Sequence, residues 1–208
     1  MSQLNKVVTV KTVKHDKPVS MAVASNHKAV KWKNTSLNWS EFLNKLSSTV
    51  RTKETMKAYN AMSKTEQGDV KDVGGFVGGY LKNGRRKAEN VMNRSIITLD
   101  IDFADEGILD DLAMMADYSY ALYSTHSHRD FAPRYRLIIP VSRNVTAEEY
   151  EPVARKIADS IGMDYFDDTT YDVNRLMYWP STSSDGEFVF TYEDNGFLDP
   201  DKVLESYT

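Results

Sequence analysis

The sequence predicts an α+β fold, and three observations carry that expectation. From residue 94 onward, short apolar runs of strand length alternate with helix-period segments in the order β-α-β-β-α-β, the split RRM/ferredoxin-like arrangement. Residues 1–93 show a different, basic α/β pattern with a glycine-rich stretch. The composition, 41% hydrophobic and 27% charged over 208 residues, is that of an ordinary globular chain. That length supports one core, or two small modules sharing one. The sequence is therefore read as a single domain over 1–208, an N-terminal module of 1–93 joined to a split module of 94–208.

Each element has a local reason. Residues 5–13 (NKVVTVKTV) alternate as a strand does. Residues 38–47 (NWSEFLNKLS) read as a helix capped by Asn38 or Ser40, and residues 52–63 as a second helix capped by Thr52. The run from Val73 to Lys87 (VGGFVGGYLKNGRRK) suits one or two short strands around an Asn83-Gly84 turn. Strands follow at 95–102 (SIITLDID), 118–124 (YSYALYS), 134–141 (RYRLIIPV) and 176–179 (LMYW). Helices fall at 106–116 and 146–161. The second opens on a capping box, Thr146 with Glu149, and stops at Gly162. With both helices on one face, the other face of the sheet is expected to be free for a ligand.

Composition excludes several kinds of chemistry. The chain has no cysteine, so disulfides, iron–sulfur clusters and cysteine zinc sites are out. A bound metal would rest on carboxylate and histidine, which favours Mg²⁺ or Mn²⁺. No apolar run approaches a membrane span, and the N-terminus lacks a signal-type segment, so a cytoplasmic chain is expected. The net charge of −4 conceals an asymmetry. Residues 1–99 hold 18 Lys+Arg against 7 Asp+Glu, and residues 100–208 hold 8 against 23. A basic half suits a polyanion, and an acidic half rich in paired carboxylates suits divalent cations. Mutual attraction of the two halves is the plainer alternative.

The candidate site residues follow from period-two spacing. Asp100 and Asp102 end an apolar strand and share a face, so their like charges call for a cation between them. His126 and His128 come just after the next strand, where imidazoles can donate to phosphate or ligate metal. Arg134 and Arg136 share a face, which suits a triphosphate, with Arg143 following. An acidic segment, 164–172, contains Asp167, Asp168 and Asp172 ahead of Arg175. Asp167, after the aromatic pair Tyr165-Phe166, is the favoured third carboxylate, with Asp168 and Asp172 left open. Lys82, Arg85 and Arg86 on the glycine-rich hairpin could meet template or phosphate.

The order D-x-D, S-x-H, then hydrophobe–Asp resembles the archaeo-eukaryotic primase, or primase-polymerase, superfamily. The segments GGFVGGYLKNGRR, SIITLDID, YSTHSHRDFAPRYRLIIPV and YFDDTTYDVNRLMYWPS look like the N-terminal domains of phage and mobile-element primase-helicases. The likeness runs from about Trp39 to the C-terminus. It implies metal ligation by Asp100, Asp102 and Asp167. It also implies nucleotide binding by Ser124 and His126, with His128, Arg134, Arg136, Arg175 and Lys82 as further candidates. The implied reaction is two-metal nucleotidyl transfer from an NTP or dNTP on a single-stranded DNA template, with a helicase domain or subunit as partner. In the resembling proteins a linker begins near LDPDKVLESYT, so either a piece of a longer protein or a stand-alone domain is expected. Two rivals remain. One is a rolling-circle endonuclease using His126, His128 and a nucleophilic Tyr150. The other is a non-catalytic RRM-like binding module.

Overall fold

A computed structural model describes residues 5–207. The first half supplies strands β1 (Asn5–Val7), β2 (Pro18–Ala24) and β3 (Lys33–Asn38), helix α1 (Trp39–Leu46), and strand β4 (Val50–Arg51). Helices α2 (Met56–Ala61) and α3 (Lys64–Val70) and strand β5 (Gly75–Val77) complete it. The second half runs β6 (Arg94–Ile101), α4 (Ile108–Met115), β7 (Tyr120–Ser124), β8 (Tyr135–Val145) and α5 (Ala147–Ile161). It ends with β9 (Met177–Tyr178), β10 (Ser181–Thr182), β11 (Phe188–Glu193) and α6 (Pro200–Glu205). The α+β class holds. No helix among the described residues is long and apolar enough to cross a membrane.

The main sheet has the order β1-β11-β7-β8-β6, and a second sheet has the order β3-β2-β5-β9. Alternation along β6 builds two cores. Ile97, Leu99 and Ile101 pack against Ile108 and Leu112 of α4 and Tyr150, Val153 and Ile157 of α5. Ile96 faces the other way, with Ala121, Tyr123 and Ile138, onto Trp39, Phe42, Leu43 and Leu46 of α1 and Val19 and Met21 of β2. The α1 positions follow the i, i+3, i+4, i+7 pattern of a one-sided helix. Each such burial contributes roughly 1.5–3 kcal/mol. The second sheet face is therefore covered by α1 and β2, and the expectation of a free face is corrected. What stays open is its end, beside the last residues of β6.

Three local expectations are also corrected. The alternating run 5–13 pairs only over Asn5–Val7. Beyond it, Lys11 and Lys14 bond to the side chains of Tyr192 and Asp194 instead of a ladder. Helix α2 is capped by Thr55, whose hydroxyl accepts from the Ala58 amide at 3.1 Å. Thr52 is drawn instead into the β4–β10 pairing, its amide donating to the Thr182 carbonyl. Residues 177–178 pair with β5 in the second sheet. The last strand of the main sheet is β11, whose Phe188 and Phe190 are buried. The glycine-rich run holds one short strand, 75–77, within the one or two expected. The chain then crosses the start of β6 so closely that a Cβ on Gly79 would lie 1.8 Å from the Asn93 carbonyl oxygen. The turn itself falls where expected, with Asn83 and Gly84 at φ 55° and 63°.

Candidate functional site

The site grows from the end of β6. Register places Asp100 opposite Arg136 of β8, which in turn lies opposite Tyr123 of β7. Arg136 Nε donates to Asp100 Oδ1 at 3.0 Å, and Arg175 Nε and Nη2 donate to Oδ2 at 3.1 and 3.0 Å. The Asp100 backbone is fixed as well, its amide donating to Thr170 Oγ1 at 2.6 Å. Asp102 has no such company. The nearest cation is Arg134 Nη1 at 3.9 Å. Burial first, and the neighbouring Asp100 second, push its carboxyl above the usual range.

These groups line a cavity of about 320 Å³. Its wall holds Asp100 and Asp102 together with Lys71, Arg86, Arg134, Arg136 and Arg175, so cations outnumber carboxylates. His27, Thr125, His126, Ser127, Tyr178 and Ser181 complete most of the lining. Lys71 forms no ion pair among the described residues. Burial, then the charge of Arg136, holds its ammonium below the ordinary lysine range. A partly desolvated, unpaired cation at a cavity wall is suited to an anionic ligand.

His126 reaches the cavity, but both ring nitrogens are engaged. Nε2 lies 3.1 Å from Glu54 Oε1 and Nδ1 lies 3.0 Å from Ser181 Oγ. A carboxylate only accepts, so Nε2 carries the proton and Nδ1 accepts from Ser181. Burial lowers the His126 pKa. Ser124 is not at the cavity, because its hydroxyl accepts from the Val189 amide at 2.9 Å inside the sheet. His128 lies in a different hollow with Asp130 and Glu187. These three are the described His/Asp/Glu group whose ligand atoms lie within 4.8 Å of one another. The Arg134 amide donates to His128 Nδ1 at 3.2 Å, however, which leaves the proton on Nε2 and opposes metal ligation there.

The acidic segment is docked onto β6. Phe166 is buried and bridges to Ile101, and the amides of Asp102 and Phe103 donate to the Tyr165 carbonyl. Asp167 sits beside Asp100 on the backbone, its amide 3.4 Å from the Asp100 carbonyl. Its carboxylate accepts from the Thr169 amide at 2.8 Å and caps the 3-10 turn Asp168–Tyr171. Even so, its charge acts on both Asp102 and Arg175. Asp168 acts instead on Arg155 and Tyr171 of the helical face, and Asp172 is exposed. Lys82 lies outside the cavity, and Arg143 pairs with Glu149 and Asp201.

Thus Asp100, Asp102, His126, Arg134, Arg136 and Arg175 converge, while Ser124, His128, Asp167 and Lys82 do not line the same space. Sequence reasoning missed His27, Lys71 and Tyr178, and gave Arg86 only a template or phosphate role. None has a motif of its own; each is brought in by the second sheet and the loops around it. Tyr150 is fully buried with its hydroxyl donating to the Thr98 carbonyl at 3.2 Å, which disqualifies it as a nucleophile for DNA.

A family model described as the VapE N-terminal domain matches residues 4–208. No curated protein matches the chain. Among solved structures, the AEP domain of the primase-polymerase of cyanophage S-2L is similar, with 13% identity, a TM-score of 0.49, and coverage of 90% of this chain and 88% of that chain.

Proposed function

The chain belongs to the VapE N-terminal domain family, and on that premise we propose that it is a DNA primase-polymerase domain. It joins nucleotides from NTP or dNTP on a single-stranded DNA template, in the replication of a phage or mobile element, beside a helicase domain or subunit. In this reading β6-α4-β7-β8-α5-β11 is the RRM-like catalytic unit, and residues 1–93 are the module that covers it. One observation carries the proposal: a single cavity sets two adjacent carboxylates, Asp100 and Asp102, against five cations. That is the mixture a metal-bound triphosphate requires.

The residues fit a divalent cation. The available donors are carboxylate oxygens, which suit Mg²⁺ or Mn²⁺. The raised pKa of Asp102 marks a negative charge that a cation would relieve. Asp100 and Asp102 would hold it, with Asp167 as the adjacent third carboxylate. When bound there, divalent cations would supply polarisation of the attacking hydroxyl and neutralisation of phosphate charge. The protein does the rest. Arg136 and Arg175 orient Asp100 through their hydrogen bonds, and with Lys71, Arg86 and Arg134 they balance the triphosphate. The 3′-oxygen bonds to the α-phosphorus, the bond to the β-phosphate oxygen breaks, and pyrophosphate leaves.

The test is incubation with single-stranded template, labelled nucleotides and Mg²⁺ or Mn²⁺. Extended products are expected from the wild type and none from Asp102→Asn. DNA binding without extension under both metals would overturn the enzyme reading, and DNA attached to a tyrosine would replace it with an endonuclease.

A further inference from the structure

We infer that His27, oriented by Asp72, donates the proton that the departing pyrophosphate takes up; the inference rests on the nucleotidyl-transfer reading above. His27 follows β2, and its backbone amide and ring Nδ1 both meet Asp72 Oδ2, at 2.9 and 2.6 Å. The other Asp72 oxygen accepts from the Gly74 amide at 3.2 Å. The Asp72 side chain is 7% exposed and that of His27 is 30% exposed. A carboxylate cannot donate, so Nδ1 carries the hydrogen and Nε2 is the nitrogen left for a ligand. The two backbone amides would hold this turn without any imidazole. The ring adds a transferable proton, and it lines the same cavity as Asp100 and Asp102.

The first half of the chain also brings Lys71 and Arg86 to that cavity, and among the described residues neither has a carboxylate partner. Pyrophosphate, the most anionic part of the ligand, belongs with such cations, whereas the carboxylate pair belongs with the metal and the reacting phosphorus. Lys71 is next to Asp72 in sequence, so the dyad stands beside this cationic group. The charged and titratable groups around the ring are Asp72, Asp69 with its partner Lys28, Lys71, Tyr178 (its ring centre 6.3 Å from the imidazole) and Arg86. In the step the ring acts as the imidazolium, with hydrogens on both nitrogens: the electron pair of the breaking bond passes to the pyrophosphate oxygen, which takes the Nε2 proton. The neutral ring is then reprotonated from solvent, and the 3′-hydroxyl proton is lost to water.

The experiment is single-turnover insertion by the wild type, His27→Gln and Asp72→Asn, with nucleotides whose β,γ-bridge is methylene or difluoromethylene. The methylene leaving group is the more basic and needs the acid more. His27→Gln should slow the methylene substrate about 100-fold or more, the lower range for general-acid catalysis, and the difluoromethylene substrate by less than about 10-fold. The alkaline fall of the wild-type rate, where the acid loses its proton, should vanish in the variant. Asp72→Asn, altering a positioning residue, should shift the same way by less, with nucleotide KM little changed. Equal slowing of both substrates, or weakened nucleotide binding with an intact chemical step, overturns the assignment. The leaving-group and pH series on the wild type need no variant, and a wild type insensitive to both also overturns it. Wild-type extension with an unaffected His27→Gln defeats only the proton donor. Absence of extension by the wild type defeats the nucleotidyl-transfer reading as well.

Discussion

Asp102 and His128 show how single side chains trade stability for position. Asp102 has a folded pKa above its unfolded one, so the folded state binds the proton better, and stability is lost as pH rises through that range. At neutral pH its charge is a cost. Asp102→Asn should therefore abolish synthesis while raising resistance to urea, and a variant that loses both activity and stability would mean the charge is structural. His128 has the opposite sense. Burial lowers its pKa from 6.5 to about 4, and its Nδ1 accepts from the Arg134 amide only when unprotonated. Between those values the unfolded chain binds the proton more tightly, so stability present at pH 7 is lost as pH falls from about 6.5 toward 4. The shift is on the order of 3 kcal/mol. Urea midpoints across that window should fall less steeply in His128→Gln than in the wild type; equal slopes would refute the argument. The D-x-D pair was legible in the sequence because strand periodicity alone puts both carboxylates on one face. Lys71 was not, because it carries no motif and reaches the cavity from the end of α3.

At the scale of elements, the acidic segment 163–172 combines two roles in Asp167, and chemistry can separate them. As an N-cap it accepts from the Thr169 amide, which asparagine also does. As a charge it acts on Asp102, which asparagine does not. Asp167→Asn should therefore eliminate metal-dependent synthesis with little change in stability, whereas Asp167→Ala should also cost about 1 kcal/mol in urea unfolding. Asp168→Asn should keep most activity, since that carboxylate faces Arg155. Full activity in Asp167→Asn would remove the residue from the site and leave the turn as its only role. The strands and the capped helix α5 could be read in advance, because β-branched runs and a capping box are local signals. The membership of 177–178 in the second sheet could not, since two residues carry no register and only the docking of β5 supplies it.

Across the whole molecule, the two cores explain why the charge division does not segregate the fold. Residues 177–178 complete the sheet of the first half, and β1 joins the sheet of the second. That interleaving lets Lys71 and Arg86 of the basic half meet Asp100 and Asp102 of the acidic half in one cavity. It was invisible in a linear count of charges, which reports sign and not position. The basic half is not spent on the acidic one. Lys6 pairs across to Glu187, but Lys28 and Lys87 pair within their own half. Among the described residues Lys31, Lys33, Lys45 and Lys82 form no ion pair. Cations left in water are available to a polyanion, and binding through them releases condensed counterions. Affinity for single-stranded DNA, measured by anisotropy without nucleotide or metal, should therefore fall linearly in log–log form as salt rises. Each phosphate contact removed should lower the slope by about 0.7. Lys82→Ala with Arg85→Ala, both outside the cavity, should reduce it by roughly 1.4 on that basis while extension at low salt persists. A slope that the double substitution leaves unchanged would move the strand elsewhere on the basic half. Affinity indifferent to salt would mean that these lysines serve solubility, and that the template is held by contacts other than its phosphates.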